Sequence, residues 1–171
     1  MAVCVALLRG VNVSGAGKLP MVEFREMLAE LGFGAVRTYI QSGNAVFDSD
    51  LPAAVLERMI EGAVATRFGF APETFVRRAG EIGDALVDHP FGDADPARVH
   101  VFFLRETPAP DAAKLRALAL PGDGWHIGPR RITLHTPAGI GRSKLAAKLP
   151  LDGPMTARNL RTIAALAALA G

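Results

Sequence analysis

Residues Val5–Arg9 read VALLR, and residues Val101–Arg105 read VFFLR. Each run is apolar until a closing arginine. Each is followed by a proline, a stretch of helical spacing, and then a pair of strand-like runs. Side chains alternate across a strand, so Val3, Val5 and Leu7 line one face of the first run and Cys4, Ala6 and Leu8 the other. Both sets are apolar, which predicts a strand buried on both sides. The pattern then restarts near residue 99. A chain that opens two halves in this way is constrained to a repeated architecture.

The first half reads clearly. After the Gly-rich stretch RGVNVSGAGK, Pro20 suits the first turn of a helix. Met21, Phe24, Leu28 and Leu31 follow at helical spacing, and Gly32 stops it. VRTYI and AVF read as strands joined by the turn QSGN. Residues 52–68 read as a helix with Val55, Leu56, Met59, Ile60, Val64 and Phe68 on its apolar stripe, and TFVRR as a strand. The order is βαββαβ. A short helix near 80–88 and the polar stretch HPFGDADPAR follow as a connection. In the second half, VFFLR, a helix over 111–120, the strand pair WHI and RITLH, and a loop and helix in GIGRSKLAAKL give βαββα. A terminal helix over 156–170 stands where the first half has its last strand. The fold class expected is therefore α+β: two ferredoxin-like subdomains in tandem sharing a core, at 1–78 and 98–171, with a helix and linker at 79–97.

Composition narrows the function classes. The chain has 171 residues, is 50% hydrophobic and has a mean hydropathy of +0.24, which describes a globular protein. The apolar run IAALAALA is far shorter than the roughly 20 residues needed to span a bilayer. No basic segment precedes the apolar run at the N-terminus and no small-residue cleavage site follows it, so no secretory leader is read there. Cys4 is the single cysteine, so no intrachain disulfide forms, and a reducing cytoplasm is the expected compartment. Residues 125–171 hold seven basic residues and one acid, a net +6 on a chain whose total is +2. Such a block suits phosphate-bearing partners.

Topology predicts where a site would form. In a split βαβ unit the first two strands run parallel through a right-handed crossover. The loop after the first strand and the hairpin after the second then share one end of the sheet. Arg9, Asn12, Ser14, Lys18, Gln41, Ser42 and Asn44 converge there. Glycine-rich backbone, a nearby helix start and two cations make an anion site. Two readings of QSGN stay open: Gln41 and Asn44 simply hydrogen-bond the turn backbone, or they serve a site, since a turn alone needs only Gly43. The loop is not a dinucleotide fingerprint, because G-x-G-x-x-G is absent, and GIGRSK is not a phosphate loop, because Ser143 precedes Lys144. Ser143 suits a helix cap. In TARN, Thr156 is the expected cap of the last helix, with Arg158 and Arg161 sharing a face. His89, His100, His126 and His135 show no metal-ligand spacing, so no metal is expected.

The stretches ALLRGVNVSGAGKLPMVEFREMLAELGF, VRTYIQSGNAVF, GIGRSKL and TARN resemble the bacterial family called domain of unknown function 1697, from residue 3 to about 165. The resemblance implies two ferredoxin-like subdomains and no established activity or cofactor. Residues matching the family's polar motifs are Arg9, Gly10, Asn12, Tyr39, Gln41, Ser42, Gly43, Asn44, Gly141, Ser143, Lys144, Arg158 and Asn159. Ser14 stands where the family usually has a second glycine, and Leu160 where it usually has tryptophan. The segment KLPLDGPM is shorter than usual.

Three functional readings stay open at this level. The first is a binding protein for a phosphate-bearing, nucleotide-like small ligand, held by Arg9, Asn12, Lys18, Tyr39, Gln41, Ser42, Asn44, Ser143, Lys144, Arg158 and Asn159. The second is an enzyme acting on such a ligand, with Arg9 and Lys144 stabilising charge and Tyr39 or Lys144 moving a proton. No nucleophile is evident for it. The third is single-stranded nucleic-acid binding, for which aromatics are few (6%) and the RNP1 pattern is absent.

Overall fold

The computed structural model describes all residues, Met1–Gly171. The chain divides into two compact units, one of Met1–Gly83 with Ala165–Gly171, the other of Asp84–Ala164. It is a mixed α+β protein with two four-stranded antiparallel sheets, each carrying helices, in two ferredoxin-like subdomains.

In the first subdomain the elements are β1 (Val3–Leu8), α1 (Met21–Glu30), β2 (Gly34–Tyr39), β3 (Asn44–Asp48), α2 (Ala53–Phe68) and β4 (Thr74–Arg78), with α3 (Ala79–Val87) following. The sheet order is β2-β3-β1-β4. Both β1 and β2 pair antiparallel with β3, so they run parallel to each other with β3 between them. The apolar face predicted for Cys4, Ala6 and Leu8 meets Phe24, Leu28, Leu56, Ile60 and Val64 of the two helices. Phe33 stacks on Phe47 at 4.5 Å. Val5 and Leu7, on the other face, are also fully buried. Each such side chain stabilises the fold by roughly 1.5–3 kcal/mol.

The edge strand β4 is closed from above by α2. Glu57 and Glu61, one turn apart, accept hydrogen bonds from the backbone N–H groups of Val76 and Thr74, both at 2.9 Å. Unpaired edge groups are thereby satisfied and kept from pairing with another chain.

The second subdomain repeats the plan: β5 (Val99–Leu104), α4 (Ala112–Leu118), β6 (Gly124–Gly128), β7 (Arg131–His135), α5 (Lys144–Ala147) and β8 (Met155–Asn159), in sheet order β6-β7-β5-β8. Its core gathers Phe102, Leu104, Leu115, Ile132, Leu134 and Leu145. The likeness extends to register. Val5 sits opposite Arg77 as Val101 sits opposite Arg158, and Leu7 opposite Asn44 as Phe103 opposite Arg131.

One expectation is corrected. The last helix, α6 (Leu160–Ala170), does not start at Thr156, because Met155–Asn159 is the strand β8. The second half is βαββαβ like the first. The segment MTARN has little strand signal of its own, and pairing with the apolar β5 overrides it. Thr156 therefore caps nothing. Asn159 does the capping, its Oδ1 accepting from Thr162 N at 3.0 Å. No helix is long and apolar enough to cross a membrane.

Candidate functional site

The loop after β1 and the β2–β3 hairpin meet, as the parallel β1/β2 arrangement requires. Leu8 N donates to Gly43 O at 2.9 Å. Asn12 is the main tie. Its Nδ2 donates to Leu19 O at 2.9 Å and to Gln41 O at 2.7 Å, and its Oδ1 accepts from Leu19 N at 2.8 Å. Asn12 holds the left-handed conformation (φ 54°), which asparagine tolerates better than most residues. Within the loop, Val13 and Ala16 exchange backbone hydrogen bonds around Ser14 and Gly15, both at positive φ. This is the tight primed turn of a miniature hairpin. The Gly-rich stretch is thus a built loop.

The hairpin tip is equally fixed. Asn44 is fully buried, and its Nδ2 donates to Tyr39 O at 3.0 Å and to Ser42 Oγ at 2.9 Å. Gly43 is at φ 86°, and a Cβ there would run into Val11 Cγ2 and sit 3.0 Å from Leu8 Cβ. The close approach of the two loops therefore needs glycine at this position.

These contacts sort the predicted residues. Asn12 and Asn44 brace the tip. Arg9, Lys18 and Gln41 are exposed around it, with Tyr39 and Ser42 half-buried. Arg9 pairs with Glu73 at 3.3 Å, both side chains about half exposed, an ion pair of little energetic weight that leaves the guanidinium at the surface. Glu73 carries no local sequence signal for this role, because it comes from the turn before β4.

The second-half motifs serve their own subdomain. Ser143 is buried and caps α5, accepting from Ala146 N at 3.0 Å. Lys144 is exposed at the start of that single-turn helix. So short a helix has little dipole. Arg158 is buried in β8, and its Nη1 donates to Thr156 Oγ1 at 2.7 Å and to Ala157 O at 2.9 Å. Burial lowers its pKa to about 10. No three His, Cys, Asp or Glu side chains gather in a way that could hold a metal ion.

A tandem ferredoxin-like protein with one glycine-rich loop locked to a hairpin tip is the class that this architecture defines. The chain belongs to the family described as protein of unknown function DUF1697, whose model matches residues 1–132. That stretch includes the loop and the hairpin, whereas GIGRSKL and TARN lie beyond it. The chain is similar in structure to the conserved bacterial protein SP0830 from Streptococcus pneumoniae, at 24% identity over 99% of each chain and a TM-score of 0.77. That likeness concerns the fold. None of the curated proteins matches the chain.

Proposed function

We propose that the protein binds a small phosphate-bearing ligand, nucleotide-like in character, at the tip formed by the β1 loop and the β2–β3 hairpin. The observation that carries this reading is the tie made by Asn12. It fixes a loop with Gly10, Asn12, Ser14, Gly15 and Gly17 all at positive φ against the hairpin, with Arg9 and Lys18 exposed beside it. The glycines of the loop let a phosphate approach its backbone closely beside these two cations. Arg9 supplies a planar fork for phosphate oxygens, and Lys18 a point charge. Gln41 has an amide within the same region for a base or sugar edge. Asn12 and Asn44 preorganise the site and need not touch the ligand.

A nucleic-acid reading is less well supported. Ferredoxin-like RNA binders stack bases on exposed aromatics of the two central strands. The corresponding residues of β1 and β3 here are Val5, Leu7, Asn44 and Val46, which are not aromatic and are fully buried.

The test is a thermal-shift series with nucleotides, sugar phosphates and inorganic phosphate on the wild type and on Arg9→Ala and Lys18→Ala. A ligand at a hundred times its Kd adds about 2.7 kcal/mol. The reading expects a shift that both substitutions reduce. A phosphate ligand whose shift is unchanged in both would move the site elsewhere.

A further inference from the structure

GIGRSK and TARN serve the second subdomain, which brings a residue from each to one end of its sheet. Beyond the Val99–His135 pair the ladder continues, with Thr136 N donating to Arg98 O at 3.0 Å. The chain then turns, and Gly139 N donates to Thr136 O at 2.9 Å. Gly139 is at φ 100°, and a Cβ there would collide with Nη1 of Arg98. The glycine therefore leaves the room in which the guanidinium lies. His100 stands opposite Leu134 in one ladder and Asn159 in the other. Residues two apart on a strand share a face, so His100 and Asn159 adjoin the Arg98–Thr136 pair on one side of the sheet.

This end of the sheet holds polar groups that nothing in the chain satisfies. Thr136 is 1% exposed, and its Oγ1 has no hydrogen-bond partner. Nδ1 of His100 is buried without a partner as well. Asn159 spends its Oδ1 on Thr162 N, and its Nδ2 bonds to nothing in the chain. Arg98 is exposed, and no carboxylate or carbonyl takes its guanidinium. Asp95, the nearby acid, is engaged elsewhere: its Oδ1 accepts from Ala97 N at 2.9 Å and lies 3.8 Å from Arg161. Buried polar atoms without partners cost stability, and native folds keep few of them.

These groups are complementary to one kind of ligand. A guanidinium offers a planar fork of donors to an oxyanion, and an amide N–H adds another donor. A hydroxyl and an imidazole nitrogen each donate or accept as the partner requires. Four such groups, from two strands and the turn after a third, suit a tetrahedral array of oxygens better than the two oxygens of a carboxylate.

We propose that this end of the second sheet binds a phosphate group, held by the Arg98 guanidinium, the Thr136 hydroxyl, His100 Nδ1 and the Asn159 amide. Arg98 lifts its long, exposed side chain from Gly139, admits the anion to the two covered atoms, and closes on it. The site lies within the second subdomain and does not rest on the reading of the β1 loop.

The experiment is an amide-resolved NMR titration of the full chain with inorganic phosphate at constant ionic strength, with acetate as a planar oxyanion for contrast. The proposal expects saturable shifts at residues 98–100, 136–141 and 159 with phosphate, and much smaller ones there with acetate. Arg98→Gln, an exposed substitution, should weaken phosphate binding about tenfold, because a charge-assisted hydrogen bond is lost. Thr136→Val keeps the shape and removes the unpaired hydroxyl. It should also weaken phosphate binding, while leaving the phosphate-free protein at least as stable as the wild type. A purely structural Thr136 would do the reverse, losing stability with affinity unchanged. That result, absence of saturable shifts at these residues, an equal response to acetate, or wild-type affinity in both variants would overturn the proposal.

Discussion

Asn12 Nδ2 reaches across from the β1 loop to Gln41 O at 2.7 Å, joining two segments that the chain separates by a helix and a strand. The same side chain holds Leu19 through both its oxygen and its nitrogen. Asn12→Ala removes all three bonds and places alanine at φ 54°. The expected loss is about 2–3 kcal/mol. For a chain of this length that is roughly 4–12 °C in Tm, measured by calorimetry. Asn12→Asp keeps the acceptor for Leu19 N but sets a carboxylate oxygen against the carbonyls of Leu19 and Gln41, so it should lose at least as much. A loss well under about 1 kcal/mol in both variants would mean that the side-chain bonds are not what holds the loop.

Glycines of the tip should differ sharply. Gly15 is at φ 78° with open space around it, so Gly15→Ala should cost about 1 kcal/mol from backbone strain alone. Gly43→Ala adds a collision with Val11 and Leu8 to similar strain. It should cost about 3 kcal/mol or more and loosen both loops together. Chemical denaturation of the two variants side by side measures the difference.

Glu57 has two roles. It accepts from Val76 N at 2.9 Å and approaches the buried guanidinium of Arg77 at 3.9 Å. Removing one partner of a buried charge pair costs about 3–5 kcal/mol, so Glu57→Ala should be among the most damaging single changes in the first subdomain. Glu57→Gln retains the acceptor and should lose less, as read from urea midpoints. If both variants match the wild type, the edge of β4 is secured by something other than α2.

His100 gives a pH dependence. Burial lowers its pKa below the ordinary 6.5, and its Nδ1 has no hydrogen-bond partner. The unfolded chain therefore takes up a proton as pH falls through about 6.5, before the folded chain does. Its contribution to stability is lost progressively as pH falls through and below that value. His100→Leu should flatten this part of the stability-versus-pH curve. An unchanged slope between about pH 7 and 5 would show that His100 is protonated alike in both states.

Much of the fold was legible because apolar patterning carries it. VALLR and VFFLR mark the two central strands, and the crossover rule alone brings RGVN beside QSGN. β8 was not legible, because MTARN becomes a strand only through its partner β5. The tip was legible as a meeting of loops. That Asn44 bonds the backbone of its own turn was one of two readings open in the sequence, whereas it was not legible that Asn12 would spend its amide on Leu19 and Gln41, because those bonds cross between loops. The pairs Glu57–Arg77 and Arg9–Glu73 join residues distant in the chain, so no local pattern reports them.

The most direct measurement of the central claim is an amide-resolved titration of the protein with a nucleotide, following Gly10–Lys18 and Gln41–Gly43. The account predicts saturable shifts in both stretches at once, lost in Arg9→Ala and Lys18→Ala while the rest of the spectrum stays in place. Shifts confined to other parts of the chain, or none at saturating nucleotide, would contradict it and leave the joined loops as a structural brace.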